Sequence, residues 1–265
     1  LAKAISHGEL KGNILMQSHG GRARSILAGD IEIDVAFIAS PSADKFGNIS
    51  GVNGHNSCGT LGYVIADSIK AKKVIAVTDA LIEYPNYPAD ITEDYVDQVL
   101  VVDSIGRKEG IVSGTTRVTK DPVGLKIAKD TLKVMEATGL LKDGLSFQSG
   151  AGGISLAVTD YLRDYMIEKD IKGSFASGGI TGYLTGMLEE GLFSSLFDVQ
   201  CFDLEAIESL KRNPNHIRMS ASQYGNPEVS SVVDNLDIVI LGATEIDVDF
   251  NVNVSSGADG GFAGA

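Results

Sequence analysis

The chain has 265 residues and a formal net charge of −13, with 43% hydrophobic and 22% charged residues. That is long enough for one large or two modest domains and too apolar for a disordered chain. The acidic balance argues against nucleic acid or an anionic membrane as partner, because phosphate binding needs a basic footprint. No apolar run reaches the roughly 20 residues of a membrane span.

Short apolar runs alternate with helical patterns along the chain. NILMQSHG, IDVAFIAS, KKVIAVTDA and DQVLVVDSIG each read as a strand rich in β-branched residues. DPVGLKIAKDTLKVMEAT then reads as an amphipathic helix, with Asp121 as N-cap, Pro122 in the first turn, and Leu125, Ile127, Ala128, Leu132 and Met135 apolar. Beyond it, LSFQSG, GSFASGG, LFDVQCFD and LDIVILGAT read as strands. ISLAVTDYLRDYMIEKD, YLTGMLEEGL (ended by Gly191) and LEAIESLKRN read as the helices between them. Strands apolar on both faces, alternating with helices, imply an α/β protein whose open, mostly parallel sheets are covered by flanking helices.

The polar stretch TTRVTKDP at 115–122 lacks periodicity and marks the expected break, giving domains 1–117 and 118–265. A faint internal echo accompanies it. Aligned without gaps, DVAFIASPSADKFGNI from Asp34 and DIVILGATEIDVDFNV from Asp237 superimpose their apolar runs. Asp44 then falls on Asp247, Asn48 on Asn251, and Ser42 on Glu245. Two related domains are the expectation, with the acid only in the second copy.

Several stretches are candidates for chemistry. Gly150, Gly152 and Gly153 lie between a strand and a helix, where backbone N–H groups and the positive helix N-terminus suit a phosphate, carboxylate or oxyanion. The competing reading is a tight βα turn that needs positive φ. Gly178 and Gly179 in SGGITG repeat the pattern after the next strand, at the carboxyl edge where open α/β sheets bind ligands. In HGGRAR, Arg22 is a candidate clamp for a carboxylate, with Gly20 and Gly21 permitting close approach; the alternative is a helix start with solvated arginines. His55 sits in a polar, glycine-rich loop and is a candidate active-site lid residue, whereas His19 reads as a strand-end histidine, and His7 and His216 as surface residues. Glu245, just beyond the apolar strand at 236–241, is the sharpest candidate: a partly desolvated carboxylate there attacks or positions an activated acyl carbon. The other reading is a solvated loop acid. No His pair has metal-ligand spacing, so no protein-bound metal is expected. Cys58 and Cys201 read as reduced thiols, and no secretory signal is visible, which fits a cytoplasmic location.

SHGGRAR, FIASPSADKFGNISG, SCGTLGY, SFQSGAGGISLAVTDYLRD, FASGGIT, LFDVQCFD, NPNHI and above all ATEIDVDFNVNVSSGADG together resemble the alpha chain of citrate lyase, a citrate CoA-transferase. The resemblance covers nearly the whole chain and implies a copy truncated at both ends. It implies the fold of CoA-transferases of the sugar-phosphate-isomerase type, with two related α/β domains. The implied reaction exchanges acetate for citrate on the thioester of a CoA-like phosphoribosyl-dephospho-CoA arm, for which acetyl-CoA is a surrogate. That arm is carried by a small acyl carrier (gamma) subunit, and a separate citryl-lyase (beta) subunit cleaves the citryl thioester. A homo-oligomer within a complex is likewise implied.

Ala243-Thr244-Glu245-Ile246-Asp247 matches the A-[IL]-E-[IVM]-D pattern of related CoA-transferases apart from Thr244, which makes Glu245 the implied catalytic residue, either attacking or positioning. The glycines at 150, 152, 153, 178 and 179 are then expected at the cofactor arm. Arg22, Gly20, Gly21, His55 and Asn251 are expected at the substrate. Three other readings stand beside this one: a free acetate or short hydroxy-acid CoA-transferase using a glutamyl-CoA thioester, a noncatalytic scaffold subunit, and a sugar-phosphate isomerase. The last needs a lysine at the glycine turns, and neither turn has one.

Overall fold

The computed structural model describes residues 2–111, 116–257 and 261. After a short helix α1 (Ala2–Ser6), the chain forms α2 (His19–Ala28), β1 (Val35–Ala39), α3 (Ile65–Lys70), β2 (Lys73–Thr78) and β3 (Gln98–Val101). β1, β2 and β3 pair in that order as a parallel sheet. Next come α4 (Pro122–Ala137), β4 (Ser146–Ser149), α5 (Gly153–Lys169), β5 (Gly173–Ile180), α6 (Gly182–Glu189), β6 (Phe193–Cys201), α7 (Leu204–Arg212), β7 (His216–Arg218), α8 (Ala221–Gly225) and β8 (Ile238–Ile240). Five of these strands make a second parallel sheet in the order β7-β6-β5-β4-β8. A small antiparallel pair, β9 (Glu245–Ile246) and β10 (Val252–Asn253), closes the described chain. The chain is therefore an α/β protein with mostly parallel sheets and flanking helices, as its alternating pattern implies.

The chain divides into two compact units. One is Ser18–Ile240, which holds both parallel sheets; the other joins Leu1–Gln17 with Leu241–Ala265. In the larger unit the main core lies on the five-stranded sheet, where Phe147 and Phe193 stack at 6.4 Å in one buried cluster with Leu162, Met166 and Met187. A separate cluster on the three-stranded sheet is built on Ile38, Ile49, Val74 and Ile91. No described helix is long and apolar enough to cross a membrane.

Local signals explain most boundaries. Asp121 caps α4 by accepting a hydrogen bond from the Gly124 N–H at 2.8 Å, with Pro122 in the first turn. Ala128 and Met135 are buried and Leu125 and Leu132 partly so, but Ile127 faces solvent because it lies about 100° off that stripe. α6 ends at Gly191, whose φ of 69° is the left-handed conformation that favours glycine.

Four expectations need correction. NILMQS is not a strand: no described strand pairs with it, Leu15 and Met16 are exposed, and Ser18 instead caps α2 through the Gly21 N–H. His19 is accordingly the first residue of a helix, not the end of a strand. The strand expected at 236–241 shortens to Ile238–Ile240, since only those residues find partners on β4. His216 is buried, 4% exposed, on β7.

Gly20 has a packing role. A Cβ built there would lie 1.6 Å from the carbonyl oxygen of Gly225, so α2 and α8 approach backbone to backbone. Gly186, by contrast, sits within α6 with nothing within 4 Å of a built Cβ. Gly20→Ala is expected to lower stability by about 1–3 kcal/mol through overpacking. Gly186→Ala is expected to raise it by about 0.5–1 kcal/mol through helix propensity. Urea denaturation of the two variants checks the opposite signs.

Candidate functional site

The parallel five-stranded sheet brings the carboxyl ends of β4, β5 and β6 to one edge, above the N-termini of α5, α6 and α7. At the first turn the Gly150 N–H donates to the Ile240 carbonyl at 2.8 Å, Gly152 is the N-cap of α5, and no atom lies within 4 Å of a Cβ built on Gly152. Gly153 is tighter, with the Arg117 carbonyl 3.0 Å from a built Cβ. The second glycine pair is placed differently from the sequence expectation. Gly178 and Gly179 lie inside β5, at a bulge against β6, and the turn proper falls at Thr181. Gly178 adopts φ 103°, while a Cβ on Gly179 would meet the Phe202 ring at 1.8 Å. These two glycines therefore serve a strand bulge and a ring contact rather than a helix N-terminus.

Polar side chains that the sequence reading passed over lie on or beside the same strands. Gln148 donates from Nε2 to the Tyr224 hydroxyl at 2.6 Å, and its Oε1 is buried without a partner. Ser177 Oγ and Thr181 Oγ1 are also buried and unpartnered. Buried polar atoms are normally satisfied, so three orphans near one sheet edge call for a ligand or ordered water. The signal was present in the sequence as polar residues within SFQSG and FASGGIT.

A cavity of about 500 Å³ opens at the N-termini of α6 and α7, lined by Thr116, Gly182, Tyr183, Asp203, Leu204 and Glu205. Its first-turn amide is already taken: the Gly182 N–H donates to Asp203 at 2.7 Å. A second cavity, of about 420 Å³, lies between the loop at 58–64 and the end of β6, and includes Cys58, Thr60, Tyr63, Cys201 and Phe202 in its lining. Burial, reinforced by Asp90, pushes the Cys58 thiol up to about 11. Burial also lifts the Tyr63 phenol to about 12. Both groups are neutral at physiological pH.

Arg22 pairs bidentately with Asp67, at 2.6 and 3.0 Å. His55 is exposed, its Nε2 3.6 Å from the buried Asp79 carboxylate. Burial opposes the charge on Asp79, but the Ile105 N–H, the Asn56 amide and His55 outweigh it and hold the carboxyl below its usual range.

Glu245 and Asn251 belong to the smaller compact unit. Glu245 is exposed rather than partly desolvated, and it lies in β9, not off the end of the long apolar strand. Its Oε2 accepts a hydrogen bond from Asn253 Nδ2 at 2.9 Å, directly across the antiparallel pair. Asn253 is itself fixed by its Oδ1, which accepts from the Ser255 and Ser256 N–H groups. The sequence reading missed Asn253; its only signal was the register of a two-residue hairpin. Asn251 donates from Nδ2 to Asp247 at 2.8 Å, and it is chiefly this contact that holds the Asp247 carboxyl below its usual range.

The fold with its glycine-lined sheet edge is that of the CoA-transferase type of α/β protein. All 265 residues match the family model described as citrate lyase, alpha subunit (CitF), and the chain belongs to this family. It is 47% identical to the citrate lyase alpha chain of Escherichia coli K12, over 100% of this chain and 52% of that protein. A solved alpha subunit of citrate lyase from Streptococcus mutans, in complex with citrate, is 47% identical with a TM-score of 0.95, over 100% of this chain and 52% of that one. The chain thus spans about half the length of the relatives it matches. A Pseudomonas malonate decarboxylase hetero-tetramer shares the fold at a TM-score of 0.70 and 17% identity, over 99% of this chain and 48% of that one.

Asp44 gives a pH test of the loop that the echo singled out. Burial opposes its charge, but hydrogen bonds from the Asn86 N–H, the Asn48 side chain and nearby N–H groups lower its pKa below the usual value. A depressed folded pKa contributes stability that is present above the unfolded value, near 4, and lost as the pH falls through the folded value. Asp44→Asn is therefore expected to destabilise the protein at neutral pH and to flatten its loss of stability below about pH 4. Denaturant midpoints measured across that pH range check it.

Proposed function

We propose that this chain carries the core of a citrate CoA-transferase, exchanging acetate for citrate on the thioester of an acyl carrier's CoA-like phosphoribosyl-dephospho-CoA arm. The observation that carries this reading is the match to the citrate lyase alpha family along all 265 residues. The Streptococcus mutans relative, solved with citrate, supports citrate as the acid. In the proposed exchange a citrate carboxylate oxygen attacks the acetyl carbon and the carrier thiolate leaves, forming a citric–acetic anhydride. The thiolate then attacks the citryl carbonyl and acetate leaves. The products are citryl-carrier and acetate, so atoms and charge balance.

Glu245 is the proposed catalytic residue, held by Asn253. It positions or polarises the reacting carbonyl, and the open N-terminus of α5 at Gly152 and Gly153 supplies N–H groups to an oxyanion or phosphate. Gly150 shapes that turn. Gly178 and Gly179 act on the arm only indirectly, through the bulge that sets the end of β5. His55, oriented by Asp79, and Asn251 are proposed at the substrate, with Gly21 in the first turn of α2 and Gly20 setting that helix's approach. For Arg22 to bind a citrate carboxylate, that carboxylate must replace Asp67.

The working assembly is proposed to contain the gamma carrier and beta citryl-lyase subunits, with this subunit as a homo-oligomer in the cytoplasm. The segments 1–117 and 118–265 are proposed as parts of two related domains, supported by their matching loops at Asp44–Asn48 and Asp247–Asn251.

The test uses the full-length subunit with acetyl-CoA as carrier surrogate and labelled citrate. Wild type is expected to form citryl-CoA, and Glu245→Gln to lose at least about 100-fold in rate. Asn253→Ala, which frees Glu245 without removing it, is expected to lose about 10-fold, as a misplaced catalytic group does. No transfer with acetyl-CoA or the intact carrier sinks the enzyme reading and leaves a scaffold. A stable Glu245–CoA adduct identifies a free CoA-transferase mechanism instead.

A further inference from the structure

Strand β6 and strand β7 bring together three side chains that no part of the transfer chemistry uses. Asp198, Cys201 and His216 are all buried, and one ligand atom from each lies within 4.8 Å of the others. Cys201 Sγ is 3.0 Å and His216 Nε2 3.5 Å from Asp198 Oδ2. We propose that this triad is a binding site for a borderline-soft divalent cation, Zn²⁺ being the best fit.

Three observations support it. Two polar atoms of the triad, Asp198 Oδ1 and His216 Nε2, are buried with no hydrogen-bond partner, an arrangement that folded proteins otherwise avoid. Two of the three separations approach those around the ion: tetrahedral zinc with ordinary bond lengths sets its ligand atoms roughly 3.3–3.6 Å apart. The 3.0 and 3.5 Å separations lie close to that, and the third, between Cys201 and His216, is within 4.8 Å. The imidazole is also oriented as a metal ligand. His216 Nδ1 faces Ser209 Oγ at 3.1 Å, so the tautomer protonated on Nδ1 has a hydroxyl to donate to and keeps its Nε2 lone pair for a metal on the carboxylate side.

Charge favours the same conclusion. Among the described residues, the one cationic partner within ion-pair distance of Asp198 is His216 itself. The nearby buried Asp90 has Arg218 at 3.8 Å. A dication therefore compensates a carboxylate whose burial is otherwise costly. Cys201 and Thr60 also line the 420 Å³ cavity, which gives the ion a way in and solvent as a fourth ligand. On binding, the Cys201 S–H loses its proton to solvent and the thiolate bonds the metal. The ligands come from two neighbouring parallel strands and Thr60 donates to Asp198 at 2.8 Å, so the ion would rivet the loop at 58–64 to the sheet.

The experiment uses chelator-treated full-length subunit titrated with Co²⁺ and, in competition, Zn²⁺. The expected result is one cobalt per chain with near-ultraviolet thiolate-to-cobalt charge-transfer absorption, displaced by zinc. Cys201→Ser abolishes the absorption and Cys58→Ser leaves it. His216→Gln weakens zinc binding more than about 100-fold, while Ser209→Ala, which removes only the outer partner, weakens it about 10- to 100-fold. Should Cys201→Ser fail to fold, the Ser209→Ala and Cys58→Ser pair still decides the site. Absence of the charge-transfer band in wild type overturns the proposal and leaves a buried Asp–His pair. A band lost in Cys58→Ser but unaffected by Ser209→Ala overturns it as well.

Discussion

The larger unit depends on how closely the loop at 51–62 lies against β6. A Cβ on Gly59 would meet Cys201 Sγ at 2.4 Å, and one on Gly62 would meet the Val199 carbonyl at 2.6 Å. A Cβ on Gly51 would strike the Gly59 carbonyl at 1.7 Å. Only glycine fits three such approaches, and they let the loop make polar ties that a bulkier chain could not reach. Thr60 donates to Asp198, the Ala221 N–H donates to the Gly62 carbonyl, and Val52 joins the core of the second sheet. The three-stranded and five-stranded sheets are thereby held in one unit, although they lie far apart in sequence. The buried acids beneath the loop follow from this seating. Once it covers β6, the side chains of Asp90 and Asp198 lose water, which is costly unless they are compensated.

The internal echo acquires a physical basis in two turns. In the first copy the Asp44 carboxylate accepts from the N–H groups of Phe46, Gly47 and Asn48, and from Asn48 Nδ2 at 2.9 Å. In the second, Asp247 accepts from the N–H groups of Asp249 and Asn251, and from Asn251 Nδ2 at 2.8 Å. The backbones agree as well: the Asp44 N–H donates to the Asn48 carbonyl, as the Asp247 N–H does to Asn251. Even the left-handed position repeats, at Gly47 with φ 105° and at Phe250 with φ 62°. Asp and Asn four residues apart make the turn in both segments, while the residues between them differ, Lys45 facing Val248 and Phe46 facing Asp249 in the alignment.

The legible parts of the sequence were those where a local rule and the tertiary context agree. The α4 helix carries its own cap and its own stripe, and the strands of the five-stranded sheet are apolar runs bounded by glycines. NILMQS has the composition of a strand, but no described strand pairs with it, and pairing cannot be read from one segment alone. His216 looked like a surface residue because it follows the turn-forming run Asn213-Pro214-Asn215; its burial comes from pairing with β6 and packing near α7, which that local cue does not show. The candidate site was legible only as residue types. Glycines at strand ends were visible, but whether each one opens a helix N-terminus, as Gly152 does, or makes room for a ring, as Gly179 does, depends on the residue placed opposite.

The two copies of the Asp–Asn turn also separate what a turn does alone from what its surroundings add. In the first copy Ala43 and Ile49 are fully buried, because the segment near Leu81 and Ile91 lies across them. Their counterparts, Ile246 and Val252, are exposed, as are Val248 at 93% and Phe250 at 84%. Yet both turns keep the carboxylate's bonds to the second and fourth N–H groups and to the Asn side chain, so that shared geometry is set locally and does not need a cover. The cover changes the energetics. Asp44 is desolvated and gains the Asn86 N–H as a further donor, while Asp247 stays in water, where each hydrogen bond to the charge is worth less. The same contrast bears on Glu245. Its bond to Asn253 fixes a direction but, in water, little reactivity; a carboxylate in that setting acts on an acyl group only when the substrate itself excludes solvent around it.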